Sequence, residues 1–407
     1  MSENKIREQL VIKPFGLKYI DQYNELMRYV FQVNNKQLTE SGYEDGELIR
    51  SKRPVLQKAD VFGWFTPDDR LVSQICIYPC QVNIHGSIFK MGGVTGVGTY
   101  PEYANMGLMN DLIKLGLEKM RENQQWISYL YPYSIPYYRR KGWEIMSDHM
   151  TFIIKDTQLP KTEDVSGHVE RLAVDDEDVK NIYDQYARSN HGALIREKFE
   201  WAEYWRWENE DERTAAVYYD HSDIPLGYVL YWIERDIFHI KEMIYLNQEA
   251  RKGLWNFITA HFSMIDIVKG DTYKNEPIAF LLEDSQIEET IEPYYMARIV
   301  DVAAFLKTFP FAANIEPFHF IISDPIAEWN NGAYGIFFNQ EKEEIHITDK
   351  AIGKAVETDI QTLTAMLMSY RRPSYLARIE RIKTDRQTLR MLESIIPEEQ
   401  PYFSDYF

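Results

Sequence analysis

Apolar and polar positions along the 407-residue chain change period several times, and each change marks an element. Asp21–Val30 has helical spacing, and a charged stretch, TESGYEDGELIRSKRP, follows it. Three β-rich runs come next: VFGWFT, LVSQICIYPCQVNI and FKMGGVTGVGTY. From Gly107 to Met120 the pattern is helical again. Leu108, Leu112 and Leu115, with Met109, Ile113, Gly116 and Met120, form a wide apolar stripe, as in a helix laid on a sheet. QWISYL reads as a strand, PYSIPYYRRKG as a Pro-punctuated turn with a short element, and HMTFIIKD as a closing strand.

The polar, Pro-containing stretch TQLPKTEDVSGH separates this unit from a second of similar order. Helices are expected in VDDEDVKNIYDQYARSN and EKFEWAEYWRWEN, strands in TAAVYYD, PLGYVLYWIE and FHIKEMIYL, and a helix in EARKGLWNFITAHFSM. The repeat of strand, strand, loop and helix suggests a weak internal duplication. A third unit starts at MARIVDVAAFLKTFP and continues through FHFIISD, YGIFFNQ and EIHITD. Its DIQTLTAMLMSYRRPSYLARI segment predicts one helix. The expected units are residues 1–155, 156–290 and 291–407, in an α+β fold with mixed sheets.

Composition narrows the class. Apolar residues are 45% and charged residues 27%, typical of a globular protein. No apolar run reaches the roughly 18 residues of a membrane-spanning helix, and the N-terminus has no apolar leader. A cytoplasmic protein is therefore expected. The net charge of −18 disfavours nucleic-acid and anionic-membrane binding and suits cationic substrates. Cys76 and Cys80 are the only cysteines, spaced C-x3-C, and the nine histidines form no HExxH pair. Two buried thiols and no metal are expected.

The stretch GGVTGVGTYPEYANMG, leading into the helix, carries the chemistry. A pyrophosphate needs backbone N–H groups pointing one way and gains from the positive end of a helix. Gly107 would permit close approach. Neither GxGxxG nor a P-loop is present, and no basic residue lies between Pro101 and Lys114. On spacing alone, a phosphate cradle and a plain strand-to-helix turn both remain open.

GVGTYPEYANMGLMNDLI resembles motif A of the GNAT N-acetyltransferases, in the variant found in Eis (enhanced intracellular survival) proteins. LYPYSIPYYRRKGWE is similar to that family's Y-x-x-x-G-aromatic segment. The order of two such units, a sterol-carrier-like unit with DPIAEWNNG, and a terminal aromatic residue agrees. The resemblance implies two tandem GNAT-like units and a sterol-carrier-like C-terminal domain. It implies acetyl-CoA held by the first unit only. Val97, Gly98 and Thr99 would line the pantetheine arm. Asn105, Met106, Gly107, Leu108, Met109 and Asn110 would hold the pyrophosphate, with Tyr133 and Ser134 beside the thioester. Ala104 stands where the motif carries Arg or Gln, and Met109 where it carries a small residue, so binding should lean on backbone amides.

The resemblance makes Tyr138 the general acid, with Tyr137 as the alternative, and the α-carboxylate of Phe407 the general base. A phenol is protonated at neutral pH and can donate to a thiolate. Tyr402, Phe403, Tyr406 and Phe407 give the last seven residues an apolar surface suited to docking. The resemblance further implies aminoglycoside-like multi-amine acceptors and a homohexamer. Glu40, Glu44, Asp45 and Glu47 in one acidic loop, and Glu200, Glu203, Glu208 and Glu210 in a Trp-rich helix, could draw such cations. A solvated face is the plainer reading of both groups. A non-catalytic CoA- or lipid-binding module is the alternative function.

Overall fold

The computed structural model describes residues 6–34, 36, 47–205, 213–273, 277–311, 316–339 and 344–407. Three sheets organise the chain. The first has the order β1-β2-β3-β4-β5-β14-β6. Its strands are β1 (Val11–Pro14), β2 (Asp60–Phe65), β3 (Leu71–Ile84), β4 (Ser87–Thr99), β5 (Ile127–Leu130), β6 (Glu144–Ile145) and β14 (Met296–Ile299). Helices α1 (Ile20–Val30) and α2 (Glu47–Lys58) precede the central strands, and α3 (Leu108–Glu122) and the short α4 (Ile135–Arg139) follow β4 and β5. β3 is buried along almost all its length, as expected of a central strand covered on both faces. The apolar stripe of α3 lies on it, so closely that a Cβ at Gly116 would sit 3.0 Å from Ile77 Cδ1.

The second sheet has the order β13-β7-β12-β11-β10-β9-β8. It contains β7 (Asp148–Lys155), β8 (His168–Leu172), β9 (Thr214–Tyr219), β10 (Pro225–Glu234), β11 (Ile237–Tyr245), β12 (Ile267–Thr272) and β13 (Glu288–Pro293). Helices α5 (Glu177–Ser189), α6 (Lys198–Tyr204) and α7 (Gln248–Thr259) belong to this part. The two sheets exchange strands across the boundaries expected near residues 155 and 290. β7 pairs with β12 and β13, whereas β14 returns to pair with β5 and β6 of the first sheet.

The third part is a four-stranded sheet of order β17-β16-β15-β18. Its strands are β15 (Phe318–Ser323), β16 (Gly332–Asn339), β17 (Glu344–Thr348) and β18 (Lys354–Asp359). Helices α8 (Val302–Thr308), α9 (Ile360–Leu367), α10 (Pro373–Arg378) and α11 (Arg386–Ile395) accompany it. The single helix expected over DIQTLTAMLMSYRRPSYLARI is thus two. Ser369 takes a left-handed φ of 55°, and Pro373 starts α10, where its missing N–H costs nothing. One apolar core joins the first and third parts and includes Phe89, Tyr129, Tyr295, Phe305 and Phe403. Phe403 reaches it from the C-terminal segment, where it is fully buried.

Candidate active site

β4 and β5 run parallel and pair from Met91–Ile127 to Gly93–Tyr129. β4 continues to Thr99 and β5 ends at Leu130, so the strands part beyond Gly93. The cause is local. Against β3, the register jumps from Cys76–Thr95 to Gln74–Gly98, a bulge in β4 around Gly96 and Val97. Gly96 has φ 60°, and a Cβ there would meet Tyr23 Oη at 2.7 Å, so only glycine fits.

A cavity of about 560 Å³ lies at this parting. Val97, Gly98 and Thr99 line it from β4, Met109 from the start of α3, and Tyr133, Ser134, Tyr137 and Tyr138 from the segment after β5. Val30, Phe31, Arg140, Tyr406 and Phe407 also line it.

The loop between β4 and α3 connects two lining residues, Thr99 and Met109. Asn105 and Gly107 are left-handed, with φ 61° and 77°, and Gly107 is the N-cap of α3. The first N–H groups of the helix carry its positive end. The Met106 and Leu108 side chains are buried with Leu10 and Val72, so these two residues offer only backbone to a ligand. Asn105 and Asn110 lie around the helix start, and Asn110 Oδ1 accepts from Lys141 Nζ. Of the loop residues expected to hold a pyrophosphate, Met109 is the one that also lines the cavity.

A cation reaches this loop from elsewhere. Arg7 Nη1 donates to the Met106 carbonyl oxygen at 2.6 Å, and Nη2 to Asp111 Oδ2 at 2.7 Å. Arg7 is 99 residues from Met106, and no spacing rule could have found it. Arg140 could have been found, since it follows Tyr138 in YYRRKG.

Tyr138 is 7% exposed and packs edge-on against Tyr137 and Trp143. Burial pushes its phenol well above the ordinary value, so it holds its proton. Phe407 lines the same cavity. Its ring lies on Gly93, where a Cβ would be 2.7 Å from Phe407 Cε2. It also meets Tyr295 edge-on at 5.4 Å and Tyr78 at 5.8 Å.

The carboxylates of α6 have a different place from the one expected. Glu200 and Glu203 are 5% and 7% exposed and do not form a solvated face. Glu203 Oε2 accepts from Tyr78 Oη at 3.1 Å, and Glu200 lies 3.6 Å from Lys58 Nζ. Together with Phe407 and Asp405 they border one small void. Glu40, Glu44, Asp45, Glu208 and Glu210 lie outside the described residues, as does the side chain of Glu47. Cys76 and Cys80 are buried thiols, and burial pushes Cys80 well above its ordinary range. Among the described residues no group of three or more His, Cys, Asp or Glu is arranged to hold a metal, and no helix is long and apolar enough to cross a membrane.

Comparison with known proteins agrees with this architecture. A family model described as an acetyltransferase (GNAT) domain matches residues 11–146, and a second of the same description matches 192–299. A sterol carrier protein domain matches 302–404. A conserved protein of unknown function from Enterococcus faecalis, a probable N-acyltransferase, is 29% identical with a TM-score of 0.88 over 98% of this chain and 99% of that one. A GCN5-related N-acetyltransferase from Anabaena variabilis is 21% identical with a TM-score of 0.83, over 98% and 100% of the two chains. Eis1 from Mycobacterium abscessus is 16% identical with a TM-score of 0.78, again over 98% and 100%. No curated protein matches. The chain is an N-acetyltransferase of the GNAT family, and its two GNAT domains followed by a sterol carrier domain give it the Eis-type arrangement.

Proposed function

We propose that the protein transfers the acetyl group of acetyl-CoA to an amine of a cationic, multi-amine acceptor of aminoglycoside type, with Tyr138 as general acid and the Phe407 α-carboxylate as general base. The observation that carries this reading is that Tyr138 and Phe407 wall one cavity with Val97, Gly98 and Thr99 of the parted strand. GNAT enzymes use acetyl-CoA, and the residues here fit it. The parting of β4 from β5 leaves a slot for an extended arm. Asn105, Met106, Gly107, Leu108, Met109 and Asn110 surround a helix start suited to a pyrophosphate. Tyr133 and Ser134 flank the slot.

The acetyl thioester is what the cofactor supplies. The amine nitrogen forms a bond to the carbonyl carbon, and the carbon–sulfur bond then breaks. The Phe407 carboxylate takes the proton from the amine, directly or through a water, and Tyr138 gives one to the leaving thiolate. Both groups recover their starting protonation through solvent. An α-carboxyl is a weak base, so its larger contribution is to orient the amine.

The acceptor class is supported by charge. Glu200 and Glu203 are buried carboxylates that border one small void with Phe407, on a chain of net charge −18. A hexameric assembly, implied by the family likeness, belongs to the same reading and is open to light scattering.

The test is release of free CoA thiol from acetyl-CoA, with and without kanamycin. Thiol release that depends on the acceptor, with an acetylated product by mass, is expected. Acetyl-CoA binding without turnover on any amine would make the first unit a CoA-binding module.

A further inference from the structure

The second unit repeats the strand opening of the first. β11 and β12 run parallel and pair from Ile237–Ile267 to Ile240–Gly270, and β11 continues to Tyr245 beyond the last pair. In the first unit the corresponding opening is the candidate cofactor slot. In the second, Glu242 stands two residues past the last pair, 1% exposed, in the wall of a cavity of about 380 Å³. A carboxylate there repels a pyrophosphate.

The C-terminal segment occupies the same place. Tyr402 lines that cavity, its N–H donates to the His191 carbonyl at 2.8 Å, and its hydroxyl donates to Glu242 Oε1 at 3.0 Å. Ser404 Oγ donates to the same oxygen at 2.6 Å. Arg196, whose side chain is fully buried, bridges Glu242 at 2.9 Å and Asp405 at 2.8 Å. Its guanidinium also lies 3.8 Å from the ring centres of Tyr183 and Tyr204. None of this takes part in the chemistry described above.

We propose that Arg196, Glu242 and Asp405 form an ionic clamp that makes the second unit's strand opening a socket for the tail, and that they act as positioning residues for the Phe407 carboxylate in the first unit's cavity. The catalytic half of this inference rests on Phe407 being the base. A buried arginine shared by two carboxylates holds both only while its geometry is kept, and removing one partner leaves an uncompensated charge. Asp405 is two residues from Phe407, a tether of at most about 7 Å. Tyr294 Oη pins the Asp405 carbonyl at 2.8 Å, so the clamp fixes where that tether begins. The same arrangement accounts for a single cofactor slot in a chain with two GNAT domains. The second slot has become the anchor for a part used by the first.

The test compares Asp405→Ala and Asp405→Asn with the wild type in the full-length protein. It measures kcat, acetyl-CoA KM and the rate at which carboxypeptidase A releases Phe407, followed by mass. Arg196→Met is less useful, because two unpaired buried carboxylates can prevent folding. Asp405→Ala leaves Arg196 paired with Glu242. It should lower kcat about 10- to 100-fold with acetyl-CoA KM within about twofold, and speed Phe407 release. Asp405→Asn keeps an acceptor for Arg196 Nε and should restore most of both losses. An Asp405→Ala protein with wild-type kcat and a wild-type-resistant tail overturns the clamp, as does lost turnover with a tail still resistant. Faster release with unchanged kcat keeps the clamp and instead removes Phe407 from the chemistry.

Discussion

The backbone N–H of Phe407 donates to the hydroxyl of Tyr295 at 2.9 Å. Tyr295 is fully buried and immediately precedes β14, the strand that returns from the second sheet to the first. The end of the tail is therefore tied to the element that joins the two GNAT domains. Tyr295→Phe keeps the ring contacts and removes this bond, which is worth about 1 kcal/mol. Steady-state kinetics should show kcat reduced roughly 3- to 10-fold with acetyl-CoA KM unchanged. A rise in acetyl-CoA KM with kcat intact would place Tyr295 in cofactor binding instead.

Tyr138→Phe removes only a proton donor. Turnover should fall by about 10² to 10⁴, the usual worth of general acid catalysis, while acetyl-CoA affinity by calorimetry stays the same. Tyr137 lines the same cavity and is the control. An inactive Tyr137→Phe beside a fully active Tyr138→Phe would move the assignment by one residue.

Arg7 braces the loop before α3 through Met106 and Asp111. It is 42% exposed, so its ion pair is worth little by itself, and its value is in fixing the direction of the loop's amides. Arg7→Met should raise acetyl-CoA Kd roughly 3- to 10-fold without changing kcat. An unchanged Kd, measured by calorimetry on the folded variant, would remove Arg7 from the loop's support.

Burial raises the Asp405 carboxyl from the usual 3.8 to about 6, with Arg196 opposing the shift. Glu242 and Tyr183 also face it. Burial would push Glu242 up too, but Arg196 and its other hydrogen-bond donors hold it below its ordinary value, so it stays ionised. A carboxyl raised in the docked state takes up a proton on docking. The stability this lends is complete below about pH 4 and is lost as pH rises through about 6. The melting temperature of the wild type relative to Asp405→Asn should therefore fall over that window and then level off. A difference that grows with rising pH would contradict the shift.

Much of the fold could be read because its signals are local. β3 and β10 match the expected runs, LVSQICIYPCQVNI and PLGYVLYWIE, at both ends. The start of α3 was legible for the same reason, since Gly107 marks it in the sequence and caps it in the structure. The strand exchange was not legible. Nothing in HMTFIIKD or MARI says which sheet will accept it, because pairing partners more than 100 residues apart leave no periodicity. Arg7 and Arg196 were hidden for a related reason. Each is one charged residue among 108 Lys, Arg, Asp and Glu, and its role exists only once distant segments meet. The burial of Glu200 and Glu203 was missed because a carboxylate is normally solvated, and the partners that make burial tolerable include Tyr78 and Lys58, brought in by the first unit.

The central claim is that the α-carboxylate of Phe407 works in one cavity with Tyr138, and adding two glycines after Phe407 tests it most directly. The addition turns that carboxylate into a neutral amide and carries the charge away by up to about 7 Å. The measurement is kcat for acceptor-dependent CoA thiol release, alongside acetyl-CoA Kd and a protein with the same glycines at its N-terminus. The account predicts severe loss of turnover for the C-terminal addition alone, with acetyl-CoA affinity preserved in both proteins. Full turnover by the C-terminally extended protein would contradict it and return the search for the base to Glu203 and its neighbouring carboxylates.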